Sequence, residues 1–470
     1  MTFNKGRIIF KLFSFLMLVL FISHCQSIDG TMTEKKPNII YILADDLGYG
    51  DLSCYGQTKF KTPHIDALAT NGLKFTQHYS GSTVCAPSRC SLLTGLHTGH
   101  TQVRGNREVD PIGQSPIKAD TLTFAKLLKK AGYVTGAFGK WGLGSPGSEG
   151  TPLKQGFDTF YGYNCQRNAH TYYPTWLYHD DKKITLDGQT YSHDLIMDKA
   201  MEFIKTNRDN SFFCFLPIAI PHAAMQIPKD KHDIWRKKFP QFDNVTSRYY
   251  KTKRTINNPI AAFAAMVTHM DEQIGEMMTL LKKLGIDDNT LVMFTSDNGP
   301  HKEGGHDPEF WNSNGPLKGH KRDLYEGGIR VPLIAHWPGK IKTGRVSDHP
   351  SAFWDMMPTF TQIAGIDAPE NCDGISILPT LLGKKTQKKH EYLYWEFSPQ
   401  GGKQAILKDN WKAIRLNVAE NKKSKIQLYN LNKDIGENNN VADSQPQIVA
   451  EMKEIFKNAR TVNKNFKLFK

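Results

Sequence analysis

The stretch "PNIIYILADDLGYGDL", Pro37–Leu52, decides how the chain folds. An apolar run from Ile39 to Ala44 stops at two adjacent acids, Asp45 and Asp46, and a glycine-bearing turn follows. A short, unbroken aliphatic run without polar alternation predicts a strand buried on both faces. Three further segments share this plan. "YVTGAFGKW" ends around Lys140, "FFCFLPIAIPH" ends at His222, and "NTLVMFTSDNG" ends at Asp297-Asn298.

Helical segments separate these strands. "KTPHIDALATNG" offers Thr62 as an N-cap, Pro63 at the first helical position and Gly72 as a stop. "ADTLTFAKLLKKAGY" offers Asp120 as a cap and Gly132 at its end. "PIAAFAAMVTHMDEQIGEMMTLLKKLG" keeps one apolar face over many turns and stops at Gly285. The alternation predicts an α/β fold: a large mixed, mainly parallel sheet sandwiched by helices. Beyond about residue 385, "EYLYWEF", "KQAILKDNWKAIRL" and "KIQLYNL" alternate as antiparallel strands, and "QPQIVAEMKEIFKNARTV" reads as a closing helix. The expected organisation is residues 1–24 as a signal peptide, 36–384 as the main α/β domain and 385–470 as a smaller C-terminal sheet with a helix.

The N-terminus carries Lys5, Arg7 and Lys11 ahead of "LFSFLMLVLFI", with no acid before Asp29. That pattern predicts export to the periplasm or cell surface, and the run is too short to favour a membrane span. Cys25 is compatible with a lipid anchor, although His24 is a poor residue before it. A net charge of +14 on an exported chain points to an acidic substrate. Nucleic acid is not expected, because no tight Lys/Arg cluster is interleaved with aromatics. Seven irregularly spaced cysteines give neither a zinc pattern nor a dense disulfide framework.

In open α/β sheets, ligands bind at the carboxyl ends of the strands. All four strand candidates deliver polar groups there. Asp45, Asp46, Asp297 and Asn298 are hard oxygen donors, suited to Ca²⁺ or Mg²⁺. A divalent ion would relieve the repulsion among the three carboxylates. "GSTVCAPSRCSLLTGLHTG", Gly81–Gly99, places Cys85 four residues before Arg89 at a predicted helix start. A thiol is a poor ligand for such an ion. An aldehyde made from it would offer hydroxyl oxygens once hydrated.

"CAPSRCSLLTG" resembles the sulfatase signature C-x-P-S-R-x-x-x-L-T-G through Cys85, Pro87, Ser88, Arg89, Leu93, Thr94 and Gly95. Further blocks resemble that family in the same order: "PNIIYILADDLGYGDLSCYG", "GKWGLG", "IPHAAMQIP", "FTSDNGP", "LKGHKRDLYEGGIRVPLIAHWPG", "DHPSAFWDMMPTFTQIAG" and "LYNLNKDIGENNNVA". The resemblance spans about residues 36 to 445. The chain is thereby identified as a member of the type I, formylglycine-dependent sulfatases of the alkaline phosphatase superfamily.

The resemblance implies a role for each matching position. Cys85, converted to formylglycine (3-oxoalanine) by a maturation enzyme, would be nucleophile and metal ligand. Asp45, Asp46, Asp297 and Asn298 would hold one Ca²⁺, with Asp297 as base for the attacking hydroxyl. Arg89 would hold the aldehyde hydrate. Lys140, His222 and Lys321 would surround the sulfate, and His222 is of the right type to protonate the departing oxygen. A serine would trap sulfate as a stable ester, whereas a hydrate has a second hydroxyl with which to expel it.

The chain departs from the family at Gly142, in "GKWGLG", where a histidine is usual. Two readings follow for His170: it takes over that role, or it lines a sugar subsite with Gln166 and Arg167. Tyr172, Tyr173 and Trp176 are candidate stacking surfaces for a sulfated carbohydrate. Algal galactans, ulvan and glycosaminoglycans are the candidate polymers, with galactose-type sulfates preferred. The alternatives are a phosphodiester or phosphonate hydrolase of the same superfamily, and a catalytically silent polyanion-binding protein.

Overall fold

The computed structural model describes residues 35–250, 252 and 254–469. The predicted signal segment and Cys25 lie outside them. Lys36–Lys470 form one compact unit. No helix among the described residues is long and apolar enough to cross a membrane.

The strands are β1 (Asn38–Ala44), β2 (Leu73–Tyr79), β3 (Val134–Lys140), β4 (Thr159–Tyr163), β5 (Trp176–His179), β6 (Lys182–Thr185) and β7 (Phe212–Pro217). A short ribbon, β8 (Thr246–Ser247) and β9 (Ile256–Asn257), precedes β10 (Thr290–Ser296), β11 (Arg330–His336), β12 (Arg345–Ser347) and β13 (Ser351–Ala352). One large sheet runs in the order β12-β2-β11-β10-β1-β7-β3-β4-β5-β6, with β13 paired to β2. Its centre, β10-β1-β7-β3, is parallel. These are the four strands whose apolar runs end in polar groups.

Side-chain alternation in β1 explains the layering. Ile40 and Ile42 enter one core with the helices Pro63–Thr70, Ser192–Thr206 and Pro259–Leu284. Ile39, Tyr41 and Leu43 enter the other, with Cys85–Thr94, Phe124–Lys130 and Met356–Ile363. Both faces are therefore covered, as a parallel sheet requires.

The second sheet is an antiparallel meander, β14 (Leu393–Phe397), β15 (Lys403–Lys408), β16 (Trp411–Leu416) and β17 (Ile426–Asn430), followed by the helix Pro446–Asn458. Trp395, Leu407 and Ile414 share a core with Tyr79, Val84 and Trp354 of the main body.

Two caps differ from expectation. Thr123, not Asp120, caps Phe124–Lys130, its side chain accepting from Lys126 N–H. The helix Pro63–Thr70 ends on Asn71, one residue before Gly72. Gly285 does close the long helix, at φ +66°.

Candidate active site

The centre forms where β1 and β10 end side by side. Asp46 takes a left-handed conformation, φ 63°, which turns the chain out of the sheet. The turn is fixed from β10: Asp297 Oδ1 accepts from Asp46 N–H at 3.1 Å, and Ser296 Oγ accepts from Leu47 N–H at 2.9 Å. After Asp297-Asn298 the chain must pass close to a second turn. A Cβ on Gly299 would stand 1.9 Å from the Gly327 carbonyl oxygen, so only glycine fits.

Cys85 opens the helix Cys85–Thr94, all of whose residues are buried. Arg89 follows one turn later on the same side. Its Nε and Nη2 donate to Asp297 Oδ2 at 3.0 and 2.8 Å, and Nη1 donates to the Lys140 carbonyl at 2.6 Å. Lys140, at the end of β3, reaches Asp45 Oδ2 at 2.5 Å and Cys85 Sγ at 3.4 Å. Lys321 reaches Asp46 Oδ2 at 2.7 Å. His222, five residues beyond β7, holds Nε2 3.5 Å from the same oxygen. Ligand atoms of Asp45, Asp46, Cys85 and His222 all lie within 4.8 Å of one another.

The donor set fits a hard divalent cation. Asn298 Nδ2 donates to Asp46 Oδ1 at 2.7 Å and to the Gly299 carbonyl, while its Oδ1 is buried with no hydrogen-bond partner. A buried acceptor left bare is costly unless something else fills it. Three carboxylates beside it complete an oxygen-rich pocket of the kind Ca²⁺ or Mg²⁺ takes.

Electrostatics set the protonation states. Burial opposes charge on Asp45 and Asp46, yet the ammonium of Lys140 on the first and of Lys321 on the second hold both well below the usual carboxylate range. Burial, then the neighbouring Asp45 charge, lifts Asp297 to about 7. The Cys85 thiol is pushed well above its ordinary value by burial and then by Asp45. It is therefore a neutral thiol that donates to Asp45 Oδ1 at 3.3 Å. Burial and Lys321 push His222 down. Its Nδ1 lies 2.9 Å from the Ala223 carbonyl, so the ring carries its proton there and turns a bare Nε2 toward the centre.

Some residues sit differently from the sequence reading. Tyr172 is fully buried, its hydroxyl donating to the Ala219 and His222 carbonyls, and is no stacking surface. Gly142 adopts φ +80°, and the side chain of Gln166 lies over it, 3.1 Å from where a Cβ would be. Gln166 is thus buried against Gly142. His170 lies parallel to His222, centroids 5.5 Å apart, and makes no hydrogen bond to Cys85 or Arg89.

The sequence reading missed His301, Tyr249 and Glu303. The His301 ring is 5.8 Å and the Tyr249 ring 5.7 Å from that of His222, and Tyr249 donates to Glu303 Oε2 at 3.2 Å. His301 stands three residues after Asn298, a signal in "DNGPH" that was there to find. A separate group, His97, His100 and Asp373, also has metal-type composition. There, Gly99 N–H donates to Nδ1 of His97. The ring proton of neutral His97 therefore sits on Nε2, and no lone pair is left for a metal.

Comparison with known proteins agrees with this arrangement. A family model described as sulfatase matches residues 37–366, and one described as the C-terminal part of N-sulphoglucosamine sulphohydrolase matches 319–462. The chain is 31% identical to an N-acetylgalactosamine-6-O-sulfatase of Bacteroides thetaiotaomicron, over 92% of this chain and 95% of that protein. It is 29% identical to the steryl-sulfatase of Rattus norvegicus, over 80% of this chain and 76% of that protein. The crystal structure of Ps i-CgsB in complex with k-i-k-neocarrahexaose superposes with a TM-score of 0.77 at 30% identity, covering 90% of this chain and 92% of that one. The chain belongs to the sulfatase family, the formylglycine-dependent sulfuric ester hydrolases of the alkaline phosphatase superfamily.

Proposed function

We propose that the chain is an exported enzyme, periplasmic or at the cell surface, that hydrolyses sulfate esters on carbohydrate. Its nucleophile is formylglycine made from Cys85 by a maturation enzyme, and Asp45, Asp46, Asp297 and Asn298 hold one Ca²⁺. The observation that carries this reading is the state of Cys85. A thiol used as thiolate sits in an electropositive pocket that lowers its pKa. Cys85 instead has Asp45 at 3.3 Å as well as Lys140 at 3.4 Å, so its soft sulfur stands among hard oxygen donors, where it suits a Ca²⁺-type ion poorly as a ligand. As a hydrated aldehyde it would present oxygen, which suits the hard donors around it.

Charge balance supports an anionic substrate. Asp45, Asp46 and Asp297 face Arg89, Lys140 and Lys321, three acids against three bases. A divalent cation leaves this buried set in positive excess, which a sulfate ester relieves. The metal supplies Lewis-acid polarisation of the sulfuryl oxygens. Lys140 and Lys321 supply fixed positive charge for the same oxygens. Asp297, held by two Arg89 N–H groups, is placed to take a proton from the group at position 85. The bare Nε2 of His222 accepts a proton once an anionic ester offsets Lys321, and returns it to the departing sugar oxygen.

For the carbohydrate, support comes from relatives that act on or hold sugars, namely the N-acetylgalactosamine-6-O-sulfatase and the neocarrahexaose complex. The test is turnover of 4-nitrophenyl sulfate, 4-nitrophenyl phosphate, an aryl phosphodiester and defined sulfated oligosaccharides by the Ca²⁺-loaded, matured protein. Sulfated oligosaccharides should give the highest kcat/KM. A phosphodiester turned over faster than every sulfate would refute the reading.

A further inference from the structure

Beside the sulfate-binding centre opens a groove of about 600 Å³, lined among others by Arg167, His170, Tyr173, Gln189, Tyr250 and Arg254. His170 is the shared wall: one face of its ring lies parallel to His222, and the residue also borders the groove. Nδ1 of His170 is buried without a hydrogen-bond partner. The groove thus begins one imidazole away from the side chain that faces the departing sugar oxygen. A hexose unit is about as long as that spacing, so the groove is within reach of a sugar next to the one held at the centre.

The charged groups of the groove are not equivalent. Asp187 is committed to its own turn, accepting from Gln189 N–H, Thr190 N–H and Thr190 Oγ1. Arg167 is paired with Glu108. Arg254 is different. Its guanidinium carbon lies 4.1 Å from the centroid of the Tyr173 ring, and only Nη2 is used, donating to the Gly188 carbonyl at 3.0 Å and to Gln189 Oε1 at 3.3 Å. Both acceptors are neutral. Among the described residues no carboxylate lies within ion-pair distance of Arg254, and its Nε and Nη1 have no hydrogen-bond partner. A half-buried guanidinium, fixed by stacking and with most of its fork unspent, is built to receive a planar or tetrahedral oxyanion.

We infer that Arg254 binds a second anionic group, a sulfate ester or a uronic carboxylate, on the sugar next to the one being desulfated. The enzyme then prefers oligosaccharides with at least two negative charges over singly sulfated ones. This rests on the carbohydrate reading above.

The test is calorimetric binding to full-length, Ca²⁺-loaded protein carrying Cys85→Ala, which cannot be matured. The ligands are one oligosaccharide series with a single sulfate ester on the sugar to be desulfated, its neighbouring sugar carrying nothing, a second sulfate or a carboxylate. A second anion should tighten Kd at least tenfold, and the stronger of the two arms identifies its source. Arg254→Glu should abolish the gain, while Arg254→Lys keeps part of it. Arg254→Gln replaces the glutamate variant if that one does not fold. An equal Kd across the series, or a gain that survives Arg254→Glu, overturns the inference. Hydrolysis of singly sulfated oligosaccharides without any such gain leaves the carbohydrate reading standing and defeats only this one. Turnover of 4-nitrophenyl sulfate with no binding or hydrolysis of any sulfated oligosaccharide defeats both.

Discussion

Lys412, in β16 of the C-terminal sheet, places Nζ 2.6 Å from Oε1 of Glu326, and neither side chain has any solvent exposure. Oε2 of Glu326 accepts from the Tyr79 hydroxyl at 2.8 Å and from Arg330 at 3.3 Å. The Glu326 backbone N–H donates to Glu437. Glu326 begins the turn Glu326–Ile329, five residues after Lys321, and Gly327 of that turn packs on Gly299. The C-terminal sheet therefore anchors the loop whose lysine reaches Asp46.

Removing one partner of a fully buried ion pair strands the other, at a cost of about 3–5 kcal/mol. Arg330 and Tyr79 remain beside Glu326, so Lys412→Met should cost about 3 kcal/mol in urea denaturation. The double variant Lys412→Met, Glu326→Gln should recover more than half of that. A single variant as stable as the parent would show that the pair does not brace the loop.

Chelation should abolish turnover, and added Ca²⁺ should restore it. Ca²⁺ at one hundred times its Kd should stabilise the protein by about 2.7 kcal/mol. Asn298→Leu, which removes the bare Oδ1, should erase most of that gain as read by thermal shift. A stabilisation equal in parent and variant would remove Asn298 from the metal site.

His222 and His170 should separate by size of effect. His222→Ala should lower kcat on a sulfated oligosaccharide, whose departing sugar oxygen needs a proton, at least 100-fold, within the range for loss of a general acid. His170→Ala should lower it less than tenfold, since His170 touches the centre only through His222. A similar loss in both would give His170 the catalytic role left vacant at Gly142.

Burial pushes His78, His97 and His193 each down to about 3. For a depressed histidine the unfolded chain binds the extra proton, so stability is lost as pH falls below about 6.5. Each contributes about 2 kcal/mol to the loss between pH 7 and pH 5. Neither ring nitrogen of His193 has a hydrogen-bond partner. His193→Phe should therefore flatten the acid limb of the denaturation midpoint against pH. An unchanged limb would assign the acid lability elsewhere.

What the sequence disclosed follows physical lines. β1, β3, β7 and β10 were legible because a parallel strand buried on both faces must be apolar throughout, so polar groups mark its ends. Cys85 and Arg89 were legible through the resemblance of "CAPSRCSLLTG" to the sulfatase signature. Tyr249 and Glu303 were not, because loops bring them to His222 and loop geometry leaves no periodicity; His301 was legible only through its place three residues after Asn298. Tyr172 misled for a related reason: a polar aromatic can point its hydroxyl at backbone carbonyls inside the core as readily as it faces a sugar. Arg254 gave no signal either, since its meaning depends on Tyr173, far away in sequence, and on the lack, among the described residues, of an ion-paired carboxylate.

The identity of the group at position 85 is the most direct point to measure. The protein is co-expressed with graded amounts of a formylglycine-generating enzyme, and the mass of the peptide containing Cys85 is read beside specific activity on 4-nitrophenyl sulfate. Activity should rise in proportion to the fraction of aldehyde and vanish in Cys85→Ala. Full activity from protein whose Cys85 is wholly thiol would contradict the account.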